Sequence, residues 1–189
     1  LFDEILIYKE NFLNLAKTIA INDKFKKAQN EQEKADLILQ LLHNILLKKY
    51  IENDPRLSET FKYGHYNCVS STVIYNMLCD FFGIKTSAVV VPKHIFSNVI
   101  INNKIYDAET TVKFGFNPGK NRNITDEFKR ITGFVYVPLS TGPRDNINNY
   151  ELISYLYSQT GNYLGVKKLF LESLYQYVYS LLIFPTNQS

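Results

Sequence analysis

Apolar residues recur along the first half of the chain in steps of three and four. Leu1, Ile5, Tyr8, Phe12, Leu15 and Ile19 predict a helix over 1–21, broken at Asn22 and Asp23. A second stripe, Ala35, Ile38, Leu42, Ile45 and Leu46, predicts a helix over 31–51 with Asn30 as its N-cap. Asp54-Pro55 and Gly64 mark 52–67 as a loop with at most one short turn. Val69, Val73, Met77 and Phe81, flanked by Ile74 and Leu78, predict a helix from Cys68 to Phe82, and Gly83 is a natural stop.

The period then changes. Ile84 to Val91, His94 to Ile101 and Lys104 to Thr111 are β-branched and apolar, so three strands are predicted, with Pro92 ending the first. Asn102-Asn103 suits a two-residue type I′ turn, because Asn tolerates positive φ. Residues 112–131 read as a loop, and Gly133 to Leu139 as a further strand that Pro138 assigns to an edge. Ser140 to Asn149 reads as a linker, and Tyr150 to Phe184 as a helical pair broken near Gly161-Asn162. Strands clustered after helices indicate an α+β fold. The expected organisation is a domain over 1–145, with N-terminal helices in 1–51 and a core in 60–139, followed by a helical pair over 146–189.

Composition narrows the function classes. Apolar residues make up 46% of the 189, enough for a sizeable core, and no apolar run is long enough to span a bilayer. The net charge is +3, with lysine pairs scattered and no basic stripe interleaved with aromatics, which argues against nucleic-acid binding. The chain opens on Leu1, which reads as a fragment or a processed form and leaves both a cytoplasmic and an exported setting open. Cys68 and Cys79 lie on one predicted helix, about three turns or roughly 16 Å apart, too far for a disulfide. With no Cys-x-x-Cys and no clustered histidine, no metal and no cofactor is implied.

The candidate chemistry is that of a thiol. Cys68 heads a helix, where the partial positive charge and unpaired N–H groups favour a thiolate. Its own N–H can also point at an oxyanion. His94, at the head of a strand, is the candidate base, and a catalytic imidazole needs a third group to orient it. With Ile101 paired to Lys104, His94 falls opposite Thr111 and Glu109 is its diagonal neighbour, about 7–8 Å away between Cα atoms. Asp107 shares that face but sits further along, so Glu109 is the better orienting acid and Asp107 the alternative. A register slip of two residues would reverse that preference. His43 reads as a core or boundary residue, and Cys79 as an inert buried thiol.

Tyr63-Gly64-His65-Tyr66-Asn67-Cys68, the apolar helix to Phe82-Gly83-Ile84, Pro92-Lys93-His94-Ile95-Phe96 and Glu109-Thr110-Thr111 together resemble bacterial transglutaminase-like proteins. The resemblance implies a papain-related fold, a Cys-bearing helix packed on a small antiparallel sheet. It also implies thiol acyl transfer on a protein or peptide, with Cys68 as nucleophile, His94 as base and Glu109 as acid. Papain-type enzymes place a Gln shortly before the Cys as an oxyanion donor. This chain has none there, which leaves Tyr63 or Tyr66 to donate and His65 to line the cleft.

Residues 154–187 resemble a tetratricopeptide repeat, with Tyr157, Gly161, Ser173, Tyr177, Ser180 and Pro185 at matching positions. Thr160 and Leu164 depart from that pattern. A lone repeat must pack on the preceding domain or be followed by others, and a plain helical hairpin closing the domain is the alternative. Two functions follow: an acyl-transfer enzyme that hydrolyses or transfers an amide, or an inactive scaffold that binds a protein through the helical pair.

Overall fold

The computed structural model describes residues 2–119, 121–135 and 144–185, with backbone alone for 2–6. It is α+β. Helix α1 (Phe2–Ile21) ends at Asn22, whose side chain caps the short α2 (Asp23–Lys27) by accepting from the N–H groups of Lys24 and Phe25. Helix α3 (Glu31–Ile45) starts at Asn30 as expected but stops six residues before the predicted end. The next residues form β1 (Lys49–Tyr50), because their backbone finds a partner elsewhere. Helix α4 (Leu57–Tyr63) and β2 (His65–Tyr66) occupy the predicted loop, and β1 pairs with β2 in parallel. Tertiary pairing has overridden helical propensity here.

Helix α5 (Cys68–Phe81) runs through the middle of the molecule. The expected stripe holds in its first half, where Val69 and Val73 are buried, and turns about the axis in its second. Ile74, Tyr75, Leu78 and Cys79 are buried, whereas Met77 and Phe81 are exposed. Strands β3 (Lys85–Val91), β4 (His94–Ile101) and β5 (Lys104–Ala108) follow. The β4–β5 turn has the expected form, with Ile101 opposite Lys104 and positive φ at both Asn102 and Asn103. The ladder ends at Ser97↔Ala108, so Glu109 to Thr111 are not strand and His94 does not face Thr111 in a ladder.

Residues 122–132, predicted as loop, form α6 (Arg122–Thr132), capped by Asn121 and stopped at Gly133 with φ 77°. Phe128 on its inner side is fully buried. Gly133 therefore ends a helix and opens no strand, while 136–139, including Pro138, lie outside the described residues. So do 140–143 of the predicted linker, but its later part forms β6 (Asp145–Ile147), which pairs antiparallel with β3. The sheet order is β5-β4-β3-β6.

Helix α7 (Asn149–Val166) begins one residue after β6 with an Asn148–Glu151 capping box, and α8 (Phe170–Ile183) returns against it. The break lies at Lys167–Leu169, where Lys168 has φ 63°. Gly161 stays inside α7, because a Cβ there would stand 3.1 Å from the Tyr177 ring. Ser154 and Ser180 hydrogen-bond across the pair, and the Ser173 hydroxyl donates to the Gly161 carbonyl at 2.8 Å. The pair packs on the rest of the chain. Leu152 and Leu156 of α7 share a buried cluster with Val69 and Val73 of α5, Ala88 of β3 and Ile95 of β4. A larger core joins α1, α3 and α5 to the sheet, with Ile19, Ile38, Leu42, Ile74 and Val99 fully buried.

Candidate active site

Asn67 sets the position of Cys68. Its side chain accepts from the N–H groups of Val69 and Ser70, and the Ser70 hydroxyl accepts from its backbone N–H, a closed capping box. This cap does not use the N–H of Cys68, the first residue of α5. The Asn67 amide also donates to the Glu52 carbonyl at 3.1 Å, which fastens the segment after β1 to the start of the helix.

The Pro92-Lys93 turn presents His94. Val91 pairs with His94 across two residues, Pro at the first corner and Lys93 at φ 62° at the second, the pattern of a type II turn. Val69 and Ile95, the residues following Cys68 and His94, pack in one cluster, so helix tip and strand head meet. Phe128 of α6 stands edge-on to the imidazole at 4.8 Å.

Glu109 reaches His94 by leaving the strand. Its Oε2 lies 2.7 Å from His94 Nε2, and none of its surface is exposed. Its Oε1 accepts from the Thr111 N–H at 3.1 Å and the Thr111 hydroxyl at 2.6 Å. The loop is pinned on every side. The Thr110 hydroxyl bonds with Ser71 and Thr72 of α5, His43 bonds to the Thr110 carbonyl, and the Tyr66 hydroxyl donates to the Thr111 carbonyl. Gly115 closes it, since a Cβ there would fall 2.0 Å from the Glu109 carbonyl oxygen. Asp107, the alternative acid, instead forms a bidentate ion pair with Arg144 at 2.7 and 3.0 Å.

With Nε2 held by Glu109, Nδ1 is the nitrogen left for Cys68. Nδ1 is buried and has no hydrogen-bond partner among the described residues. Burial disfavours the imidazolium, but the Glu109 carboxylate and the Cys68 side chain outweigh it and raise the His94 pKa. In His43 burial dominates and lowers the pKa to about 4, so that ring is neutral in its core position.

Cys68 is half-buried and borders a cleft of about 310 Å³. Tyr50, Glu52 and Asn53 line one side, Lys93 and His94 another, and Tyr155 and Gln159 of α7 a third. The cleft shares Glu52, Asn53, Asn67 and Gln159 with a groove of about 460 Å³ that follows α7 to Lys167. Cys79 is fully buried, and burial raises its pKa to about 12.

The three predicted cleft residues before Cys68 lie elsewhere. Tyr63 is 52% exposed at the end of α4, with the Lys62 ammonium over its ring. Gly64 (φ 72°) then reverses the chain. On β2 His65 points outward, with Nδ1 3.9 Å from a Glu59 carboxylate oxygen. Tyr66 points inward, but its hydroxyl is committed to Thr111. The tyrosines that line the cleft are instead Tyr155 of α7 and Tyr50, the latter in a segment predicted as helix. Lys49↔His65 and Tyr50↔Tyr66 pairing puts Tyr50 on the inward face. Its local signal is slight: a lysine pair interrupts the apolar face just before Tyr50-Ile51.

Among the described residues, no group of three or more His, Cys, Asp or Glu side chains is placed to hold a metal ion. No helix there is long and apolar enough to cross a membrane. Comparison with known proteins found no matching family, no similar curated protein and no similar solved structure.

Proposed function

We propose that the chain is a thiol acyl-transfer protein of the transglutaminase-like, papain-related kind, acting on an amide of a protein or peptide. The observation that carries this reading is the bond between His94 and the fully buried Glu109 at the cleft that Cys68 borders. A carboxylate–imidazole pair beside a half-buried thiol at a helix N-terminus is the arrangement that nucleophilic thiol chemistry requires.

The Cys68 sulfur attacks the carbonyl carbon, forming a C–S bond as the C=O π pair moves onto oxygen. The Cys68 N–H donates to that oxygen. As the carbonyl re-forms, the C–N bond breaks and His94 gives its Nδ1 proton to the leaving amine. Glu109 holds the imidazole and balances its charge. Water or an amine then attacks the thioester, His94 takes its proton, and the thiolate leaves. Water makes the protein a peptidase or deamidase, and an amine makes it a transglutaminase. The groove along α7 supports a polymeric acyl donor. From Gln159 to Lys167 it follows about 12 Å of helix, room for three to four residues of extended chain.

A second reading rests on α8, whose Phe170, Leu171, Leu174, Tyr175, Leu181 and Leu182 are exposed. Such a face suits an inactive adaptor that binds a protein. Thiol reactivity separates the two readings. Iodoacetamide at neutral pH should alkylate Cys68 well ahead of an ordinary thiol, with the advantage lost in His94→Ala. Slow alkylation that is identical in both proteins would favour the adaptor.

A further inference from the structure

The chemistry proposed above gives Tyr50 of the cleft no role. Tyr50, Tyr66 and Tyr75 pack on the side of α5 that faces β1, β2 and α3, and two of the three hydroxyls have partners. Tyr66 donates to the Thr111 carbonyl and Tyr75 to the Ala35 carbonyl. The buried hydroxyl of Tyr50 has no partner among the described residues. Folded proteins rarely leave a buried donor unused, and such groups often belong to a reaction.

The position of this hydroxyl is fixed from several sides. Parallel pairing sets Tyr50 beside Tyr66, whose ring meets it edge-on at 5.7 Å between centroids. The following residue, Ile51, donates its N–H to the Tyr66 carbonyl at 2.7 Å. The Asn67 amide holds the Glu52 carbonyl. The same asparagine caps the helix that Cys68 begins, so the phenol and the thiol are referenced to one residue. Both line one cleft with His94.

We infer that Tyr50 is a catalytic residue, the second donor to the oxyanion, acting with the N–H of Cys68. This rests on the acyl-transfer reading. When the sulfur adds to the carbonyl carbon, the oxygen gains the π pair and accepts hydrogen bonds from the Tyr50 O–H and the Cys68 N–H. Collapse returns that pair to the C=O bond as the leaving group departs. Tyr50 keeps its proton throughout and makes no covalent bond. Burial, and then the neighbouring Cys68, push its pKa up, which keeps it a donor at every working pH. The role left open by the missing glutamine is thus filled from β1, which lies on the other side of α4 in sequence.

Two reactions of one sulfur test this. Alkylation by iodoacetamide displaces iodide and forms no oxyanion. Acylation by p-nitrophenyl acetate passes through one. Tyr50→Phe removes a single oxygen and keeps the ring. It should slow acylation of Cys68 roughly 10²-fold, the usual effect of losing one oxyanion donor, and leave the alkylation rate within about twofold. The ratio of the two rates is taken per reactive thiol, so partial misfolding lowers both and leaves the ratio unchanged. Equal acylation of wild type and Tyr50→Phe overturns the assignment. An equal fall in both reactions overturns it too and makes Tyr50 structural. A wild-type protein whose thiol shows neither fast alkylation nor acylation sinks the acyl-transfer reading itself, and the Tyr50 assignment with it.

Discussion

The imidazole of His94 ties the stability of the protein to pH through its bond with Glu109. Its pKa is raised in the folded state, so the stabilisation is full below the ordinary imidazole value of about 6.5. It is lost as pH climbs through the raised value of about 10. Glu109→Gln keeps the shape of the side chain and removes the charge. The melting temperature of wild type should exceed that of Glu109→Gln most at pH 6, and the gap should close towards pH 10. A gap that does not vary with pH would mean that the ring is neutral in the fold. At this scale much of the site is legible in the sequence, because residues with plain backbone signals flank it: Asn before Cys68, Pro-Lys before His94, Asn-Asn at the hairpin. The contact between Glu109 and His94 does not arise as expected. It comes from a pinned loop beyond the end of the ladder, held by Thr110 and Thr111 through partners distant in sequence.

Among the elements, the start of α5 is the most exacting, since one asparagine closes the helix end and holds the Glu52 carbonyl. Asn67→Ala should cost about 1 kcal/mol, the usual price of a lost N-cap, and slow iodoacetamide alkylation of Cys68. Denaturant melts and alkylation rates measure both. Periodicity finds α1, α5 and strands β3 to β5 closely, because each turns apolar residues to a core, α1 through Leu15, Ala16 and Ile19 of its second half. It misses β1 and α6 for different reasons. Two residues cannot show a period, and β1 exists because Lys48 and Lys49 donate to the Gly64 carbonyl and Ile51 to that of Tyr66. Helix α6 does carry a helical stripe, Ile124, Phe128 and Ile131, but only these three apolar residues stand among eight polar ones, and the Asn-, Pro- and Gly-bearing run before it reads as loop.

For the molecule as a whole, α7 of the helical pair is built into the core, and α8 packs on α7. Leu152 and Leu156 of α7 lie among Val69, Val73 and Ile95. Truncating either to Ala should cost about 2–5 kcal/mol, and unfolding should remain a single transition by circular dichroism and by tyrosine fluorescence. Two transitions, with only the later residues responding, would mean that the pair folds alone. The sequence suggests a seam near position 145 because Gly142-Pro143 and the asparagines look like a linker. In the fold, Asp145–Ile147 completes the sheet and leads into α7 after one residue.

Helix α7 faces two ways. Tyr155 and Gln159 look into the cleft beside Cys68, while Ser154 and Gly161 meet α8 on its other side. The two sets alternate along a single rod. A tilt that loosens the grip on one flank must widen or narrow the mouth on the other. The aperture over the sulfur is therefore set in part by serines and a glycine that never touch it.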